Sequence, residues 1–470
     1  MNVLELRRSL RSSIVLAAIV VMSCYSYAPR PIAPAADAAV LESRRLDDAD
    51  LRQFVAGAGA TLAGEWPPVS WDLDTLTLAA LFFHPDLEVS RAQMDIARAA
   101  ILTARARPNP TISVGAQRST DRNGELSPWK LDAGVDLPIE TLGKRGIRTK
   151  RARALAESSR LDVVTTAWQI RARVRASLVD LLSAGRATTL LDKQQSLQRE
   201  IVSMLELRLR VGEAGHLDLT QFRIAGTQSE LSLREERSKR EQARARLASA
   251  IGVPVTALDS IRISPSLLDQ RSPIDGLTDL RRLALTERSD IRALLARYAA
   301  AESALRLEIA RQYPDLHIAP GYSWDQGVSK WSIGLSAPLP ILDQNRGPIA
   351  EAEARRVETA ARFTALQANV IGDLDRGMAA YSSALETIEA ADRLLQLQEQ
   401  QTREVSARFG RGEEGRLELR SSELQIENIA LSRLRAVAAL QHAVGDVETA
   451  LQHPIPFTPA MARVGQLEEH

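Results

Sequence analysis

Two long segments of the chain carry apolar residues at helical spacing and contain no proline. They cover residues 147–211 and 349–409. At about 1.5 Å per residue, they predict helices roughly 100 Å and 90 Å long. Each is followed by a second helix-period segment, at 216–251 and 416–452, which glycine or proline ends. The pattern therefore predicts two long helical hairpins.

The apolar spacing changes to a period of two ahead of each long segment. Apolar and polar residues alternate over 111–117 and 130–137, and again over 315–322 and 331–337. Such alternation predicts two β-hairpins, each with one apolar and one polar face. Their lengths approach the roughly 9–11 residues of a tilted transmembrane strand. Tryptophans stand beside the turns, as interfacial residues do in membrane barrels: Trp129, Trp324 and Trp331.

Four strands are too few to close a barrel in one chain. An open sheet edge inside lipid leaves backbone groups unpaired, at several kcal/mol each, so the barrel has to be shared between copies. Two copies give eight strands, whose interior side chains fill, whereas three give twelve strands with room for a lumen. A conduit therefore predicts a homotrimer. The alternative is an ordinary soluble sheet.

The two predicted helical hairpins have similar turn sequences. Gly-Glu-Ala-Gly-His-Leu-Asp-Leu at 212–219 returns as Gly-Glu-Glu-Gly-Arg-Leu-Glu-Leu at 412–419. In both copies the first glycine supplies the positive φ that ends a helix, and an apolar-acidic-apolar triplet restarts the helical pattern. The chain is therefore an internal duplication with a period of about 200 residues.

The duplication sets the predicted domain boundaries and the fold class. We expect a mainly α protein with a membrane β-barrel, in which long helical hairpins form a helical tube, an α-barrel, beneath the β-barrel. The segments are a signal peptide (1–23), a leader (24–70), a first repeat (71–254), a linker (255–276), a second repeat (277–453) and a tail (454–470). The first repeat holds a β-hairpin at 111–138 and a helical hairpin at 142–252 with its tip at 211–216. The second holds a β-hairpin at 315–339 and a helical hairpin at 348–452 with its tip at 410–416.

The N-terminus has the layout of an export signal. Arg7, Arg8 and Arg11 precede an apolar run at 14–21 that is too short to remain as a membrane span. Cys24 follows and is the only cysteine in the chain. No disulfide is therefore possible within one chain, and we expect Cys24 to be acylated as in bacterial lipoproteins. The alternative is that Cys24 is removed with an ordinary signal peptide. Residues 25 to 70, rich in Ala and Pro, predict an extended leader.

Composition narrows the classes of partner and of chemistry. The chain has 60 basic and 59 acidic residues, so no positive excess points to nucleic acid. The sequence lacks phosphate-binding glycine loops, paired metal-ligating histidines and a second thiol. We therefore predict no enzyme activity, no cofactor and no metal site. His216 and His317 are interpreted as solvated side chains.

By these features the chain resembles the TolC-type outer-membrane efflux factors over about residues 70–453. It is most similar to the heavy-metal branch, the cobalt-zinc-cadmium and copper-silver systems. The motifs that carry this resemblance are Ala-Arg-Pro-Asn-Pro at 106–110, Glu-Thr-Leu-Gly-Lys-Arg-Gly-Ile-Arg at 140–148 and Leu-Pro-Ile-Leu-Asp-Gln-Asn-Arg-Gly-Pro-Ile-Ala-Glu-Ala at 339–352.

The resemblance implies an outer-membrane protein that extends into the periplasm. It implies a trimer with a twelve-stranded barrel and a twelve-helix tunnel, which opens when a periplasmic adaptor and an inner-membrane pump of the resistance-nodulation-division type dock. The family's adaptor-contacting tips correspond here to Val211, Gly212, Glu213, Ala214, Gly215, Arg411, Gly412, Glu413, Glu414 and Gly415.

Acidic residues just past the tips are candidates for a pore constriction. Glu418 falls on one of the family's constricting positions, but Ser421 occupies the next, so only half of that pattern is present. Asp218 is its counterpart in the first repeat. The simpler interpretation is that both carboxylates favour the first turn of a helix, by about 0.3–1 kcal/mol. The alternative is that symmetry brings copies of Glu418 around a cation-selective aperture.

Together these observations predict the exit duct of a tripartite efflux system, which conducts passively and carries heavy-metal cations. Two alternatives within transport are drug or small-organic efflux and type I protein secretion. An alternative from another class is a lipid-anchored periplasmic coiled coil without a pore.

Overall fold

The computed structural model describes residues 27–57, 66–120, 127–270, 273–274, 276–325 and 327–455. Two compact units divide the chain after Arg44. In the first unit, helix α1 spans Pro34–Glu42 and buries none of its side chains. All other elements belong to the second unit. The predicted signal peptide and Cys24 lie outside the described residues, so the predicted lipid anchor stays a prediction.

The predicted extended leader was wrong, because part of this region is helical. Besides α1, helix α2 spans Ala49–Gly57. Its Leu51 and Val55, with the preceding Leu46, are fully buried and belong to the largest hydrophobic core of the second unit. Leu51 and Val55 lie four positions apart, so they share one face of this short helix, and Leu46 lies in the turn before it. The Ala- and Pro-rich composition concealed this spacing.

The duplication is confirmed, because six elements of the first repeat recur in the same order in the second. The first set is α3 (Leu73–Phe83), α4 (Pro85–Arg105), β1 (Thr111–Arg118), β2 (Trp129–Ile139), α5 (Lys144–Arg210) and α6 (His216–Ile251). The second set is α7 (Leu277–Glu287), α8 (Ser289–Ala310), β3 (Leu316–Asp325), β4 (Val328–Ser336), α9 (Arg346–Gly410) and α10 (Arg416–Leu451). Two short 3-10 helices, Val255–Ser260 and Pro265–Leu268, lie in the linker between them.

The four strands form one antiparallel sheet in the order β1-β2-β3-β4. The register pairs Val114 with Ala133, Ala133 with Tyr322, and Tyr322 with Trp331. Directly paired residues share a face, so the apolar positions of all four strands lie on the same side. The outer edges of β1 and β4 carry no further strand among the described residues.

Helices α6 and α10, the return helices that run back from the tips, each end where the second short helix of their own repeat begins. Gly252 ends α6 with φ +86°, and a Cβ there would stand 2.9 Å from the carbonyl oxygen of Phe83, next to α4. At the end of α10, Arg288 donates to the carbonyls of Thr449 and Ala450. The backbone N–H of Ser289, the first residue of α8, donates to Gln452 Oε1 at 2.9 Å. These contacts confirm that a short helix continues each return helix end to end.

Helix α5 packs against helices of both repeats. It packs against α4 and α6 of its own repeat and against α8 and α10 of the second repeat. Helix α10 contributes Leu424, Leu431 and Leu434 to the same cores as α5, which helps to explain why a helix of this length is stable. Within the described ranges, no helix has an apolar stretch that is sufficient to cross a membrane.

Candidate functional site

Both hairpin tips have the same backbone geometry. Gly212 and Gly412 have φ values of +80° and +77°. The next N–H in each copy reaches back to close the helix: Glu213 N donates to Arg208 O at 2.8 Å, and Glu413 N donates to Arg408 O at 3.0 Å. With the glycine N–H bonds to Leu209 and Phe409, this is the Schellman pattern, in which a left-handed residue satisfies the last carbonyls of a helix.

Arginines bind the acidic residues of the second tip. Arg411 donates from Nε and Nη2 to the two carboxylate oxygens of Glu413, at 2.7 and 2.9 Å. This hydrogen bonding lowers the pKa of Glu413. Arg408 contacts Glu414 at 3.3 Å. The tip is exposed to solvent, so these pairs shape the loop more than they stabilise the fold.

Glu418 does not stand alone beyond the second tip. Arg208, on the last turn of α5, approaches Glu418 Oε1 to 3.5 Å. Nearby, Arg420 Nε lies 2.9 Å from Glu200 of α5. The two tips of one chain therefore lie side by side, and ionic contacts join α5 of the first repeat to α10 of the second. The other carboxylate oxygen of Glu418 is buried without a hydrogen bond to any described residue.

The acidic residues of the first tip form fewer ion pairs than those of the second tip. Asp218 lies in the first turn of α6, as predicted, and is exposed. Neither Asp218 nor Glu213 forms an ion pair with another described residue. The two predicted constriction residues therefore differ: Glu418 has an arginine partner in its own chain, whereas Asp218 has none among the residues that the structure describes.

One face of the sheet is apolar and exposed. Trp331, Ile333 and Leu335 on β4 are at least 73% accessible in the single chain, and so are Ile112 and Val114 on β1. An apolar surface of this extent marks contact with lipid or with another protein.

The other face of the sheet is polar. His317 Nδ1 lies 2.9 Å from Asp136, and Lys330 Nζ lies 2.9 Å from Asp325. Among the residues that the structure places, no group of three or more His, Cys, Asp or Glu side chains is arranged to hold a metal ion.

A buried lysine joins the sheet to the helices. Lys144, at the first turn of α5, donates to Tyr313 O at 2.6 Å and to Asp315 at 2.8 Å, just before β3. The backbone N–H and the hydroxyl of Thr141 bond to the same short segment. The end of the first β-hairpin is thereby fastened to the start of the second.

Sequence reasoning missed the arginines and the glutamate that organise the tips. Arg208 and Arg408 lie one repeat period of 200 residues apart, four residues before the tip glycines, and this periodicity was the signal in the sequence that could have identified them. Glu200 and Arg420 carried no such signal, because their pairing depends on how the two hairpins pack.

Comparison with known proteins gives a family and several relatives. The family model described as Outer membrane efflux protein matches residues 78–253 and 280–451. The cobalt-zinc-cadmium resistance protein CzcC of Cupriavidus metallidurans is 25% identical over 274 residues, which is 57% of this chain and 62% of that relative. The pyoverdine export outer membrane protein OpmQ of Pseudomonas putida is 25% identical over 418 residues, 80% of this chain and 86% of that relative.

Solved structures share the fold. A crystal structure of CusC, described in connection with transmembrane channel formation, aligns with a TM-score of 0.64 at 16% identity. The alignment covers 84% of this chain and 95% of CusC. The prediction of a mainly helical protein with four antiparallel strands is therefore confirmed.

Proposed function

This chain belongs to the outer membrane efflux protein family, whose model matches most of both repeats, and on that premise we propose that it is the exit duct of a tripartite efflux system. Three copies form a barrel in the outer membrane and a helical tunnel in the periplasm. Substrates pass through it by diffusion, and an inner-membrane pump supplies the energy. Periplasmic adaptor proteins bind the tips at 211–215 and 411–415.

The observation that carries this proposal is the sheet. It has an exposed apolar face and an opposite polar face, and its two edges pair with no further strand in the part of the chain that the structure describes. Lipid excludes unpaired backbone, so such a sheet is stable in a membrane only when its edges meet those of other copies. Twelve strands are the first multiple of four that leaves a lumen.

The helices support the same arrangement independently, because equivalent positions of the two repeats are buried unequally. Helix α5 buries 23 residues and α9 only seven. Leu197 on α5 is 6% exposed, whereas Leu397, one period later on α9, is 66% exposed. Leu424 on α10 is 7% exposed, and its counterpart Ile224 on α6 is 54% exposed.

Leu197 and Leu424 belong to one apolar cluster where α5 meets α10, which we call the intrachain interface. By the repeat symmetry, α9 meets α6 of a neighbouring copy in an equivalent inter-copy interface, which covers Leu397 and Ile224. In a ring of three copies the intrachain and inter-copy interfaces alternate, so the apolar residues of all four long helices are covered.

Cross-linking tests the ring. In Leu397→Cys/Ile224→Cys, a short bifunctional methanethiosulfonate should link chains into dimers and trimers on a denaturing gel. The matched control, Leu197→Cys/Leu424→Cys, should link only within a chain and leave the monomer mass unchanged. Wild-type protein, with Cys24 as its single cysteine, should give neither product. Absence of interchain product from the first variant contradicts the ring.

We assign the substrate class to heavy-metal cations. The support is the match to a cobalt-zinc-cadmium resistance protein together with the motifs at 140–148 and 339–352. Export of a small organic molecule is the second candidate, favoured by the longer match to a pyoverdine exporter. Deleting the gene and measuring growth over graded cobalt, zinc and cadmium, beside a panel of organic toxins, separates the two. A deletion strain that loses tolerance only to organics overturns the metal assignment.

Glu418 and Asp218 are proposed to narrow the pore near its periplasmic end. In the ring, threefold symmetry brings each carboxylate together with its copies, and like charges at an aperture favour cations. Glu418→Ala should reduce cation selectivity and block by divalent ions in planar-bilayer recordings, with Glu423→Ala as the control. Unchanged selectivity and block remove Glu418 from the constriction.

A further inference from the structure

A group of basic side chains lies where α5 leaves the sheet. Residues 144–156, the first turns of α5, contain six cationic side chains and no acidic one. Two of the six are paired: Lys144 with Asp315 at 2.8 Å, and Arg148 with Glu140. The other four form no hydrogen bond or ion pair with any residue that the structure describes: Arg145, Lys150, Arg151 and Arg153.

Two further cations lie beside them at the end of α4. Arg105 is on the last turn of α4, and Arg107 is in the loop that leads to β1. Both are exposed, and neither has an acidic partner in the described part of the chain. Arg148 donates to the carbonyls of Ala104 and Ala106, so the end of α4 is held against the start of α5.

The second repeat does not carry the same charge. Gly143 and Asn345 precede α5 and α9 in the same left-handed conformation, and they align residues 144–156 with 346–358. The second segment has three arginines and three glutamates. All three glutamates pair with arginines of α9 itself: Glu351–Arg355, Glu353–Arg356 at 2.6 Å and Glu358–Arg362 at 2.5 Å. In the ring, these glutamates of a neighbouring copy are therefore already neutralised.

Lys150 and Arg105 face away from the lumen of the ring. An α-helix returns to the same side after about 36 residues, or ten turns, so Lys150 lies on the side of Arg186, which binds Asp269 of the linker. The linker lies outside the ring of helices, because inside it would block the lumen. Arg105 lies about three turns after Met94, which is buried in the core that contains the linker leucines.

Four of these cations form what we call the basic collar: Arg105, Arg107, Lys150 and Arg153. Lys150 and Arg153 are three residues apart and share one face of α5. They lie about 9 and 14 Å along α5 from its first residue, whereas the apolar face of the sheet ends at Ile139, which is 44% exposed in the single chain. With that face in the hydrocarbon, the headgroup layer of about 5–8 Å begins beside α5. Long basic side chains reach it by extending towards the membrane.

We propose that the basic collar binds the phosphate groups of anionic phospholipids, such as phosphatidylglycerol, in the periplasmic leaflet of the outer membrane. Arginine matches a phosphate with two parallel hydrogen bonds, and lysine adds a compact positive charge. Each Lys or Arg near an anionic membrane surface strengthens binding roughly fivefold. Three copies carry three collars, so these lipids bind at three sectors around the tunnel and fix the depth of each sheet in the bilayer. This inference rests on the ring and on the membrane location in the proposed function.

Native mass spectrometry of the purified trimer in a non-ionic detergent measures which lipids it retains. The trimer is titrated with an equimolar mixture of dioleoylphosphatidylglycerol and dioleoylphosphatidylcholine, which share their acyl chains and differ in headgroup charge. We expect wild type to retain the anionic lipid with a preference of about tenfold or more at low salt. In the collar variant the preference should fall to within about twofold of equality. This variant is Arg105→Gln/Arg107→Gln/Lys150→Gln/Arg153→Gln.

Two matched variants separate charge at the collar from charge in general. The first removes four exposed arginines on the half of the helices nearer the tips and should keep the wild-type preference: Arg199→Gln/Arg234→Gln/Arg240→Gln/Arg403→Gln. The second preserves the collar charge and should also keep the preference: Arg105→Lys/Arg107→Lys/Arg153→Lys. A smaller change, Lys150→Gln/Arg153→Gln, should lower the preference severalfold and serves if the collar variant does not assemble.

The outcomes separate this inference from the proposed function. A wild-type trimer that retains both lipids equally overturns the collar, and so does a collar variant that keeps the wild-type preference, because the anionic lipid then binds elsewhere. Equal loss of preference in the tip-side control, or loss in the charge-preserving variant, also overturns it. If wild-type protein gives no trimer mass at all, the ring itself is refuted.

Discussion

Neutralising Glu448 should have the largest effect on stability of any single charge change in the chain. Glu448 is 2% exposed and faces Arg171 and Arg175, which are 4% and 5% exposed. Glu448→Gln keeps the shape and the acceptor for the N–H of Ile455, but it removes the negative charge. Breaking a buried pair from one side costs about 3–5 kcal/mol, and two arginines here lose the carboxylate that contacts them.

The assay is denaturant unfolding of the detergent-solubilised protein, followed by the helical circular dichroism signal. The matched control is Glu423→Gln, which breaks the solvent-accessible pair with Arg420 and should cost about 0.2–1 kcal/mol. A second variant, Arg171→Met/Glu448→Met, should lose less than Glu448→Gln, because it removes both charges together. A loss below about 1 kcal/mol for Glu448→Gln would refute the assignment of a structural ion pair.

Three further changes test the tips, the sheet junction and a buried acid. Gly412→Ala should destabilise the second tip by about 1 kcal/mol, because φ is +77° there, whereas Gly410→Ala should be neutral; proteolysis at the tip reports the difference. Lys144→Met should cost about 1.5–3 kcal/mol through the lost bonds to Tyr313 and Asp315, against no loss for the exposed Lys150→Met in the same denaturation assay. Burial raises the pKa of Asp74 above its ordinary 3.8, so its contribution to stability is present below that pH and is lost as pH rises through the native pKa. Asp74→Asn should therefore gain stability relative to wild type as pH rises past about 4, and parallel pH profiles would contradict this.

The long hairpins were predictable because their signals are local. The period of the apolar residues and the stops at proline and glycine located each helix of α5, α6, α9 and α10 within three residues. The repeated tip sequence also predicted the positive φ of Gly212 and Gly412. Local signals gave the wrong prediction in the leader, because its Ala- and Pro-rich composition concealed the spacing of three buried apolar residues, Leu46, Leu51 and Val55.

The partners of the tip charges were not predictable in the same way. Glu418 was singled out as a constriction residue from its position alone, and nothing in its neighbourhood along the chain indicated Arg208, 210 residues away. That contact exists because α5 and α10 pack with one particular register. The register depends in turn on the buried Arg171–Glu448 pair. In the sequence, these two residues cannot be distinguished from the charged residues on a helix surface.

Duplication within one chain explains how the two interfaces could become different. In a ring of six identical hairpins, every interface has the same residues, so a mutation strengthens all six together. Fusing two hairpins gives each interface its own residues: Glu448 occupies one where Ala248 occupies the other, and Arg416 stands where the first repeat has His216. Paired charges can then accumulate inside the chain while the boundary between copies stays apolar.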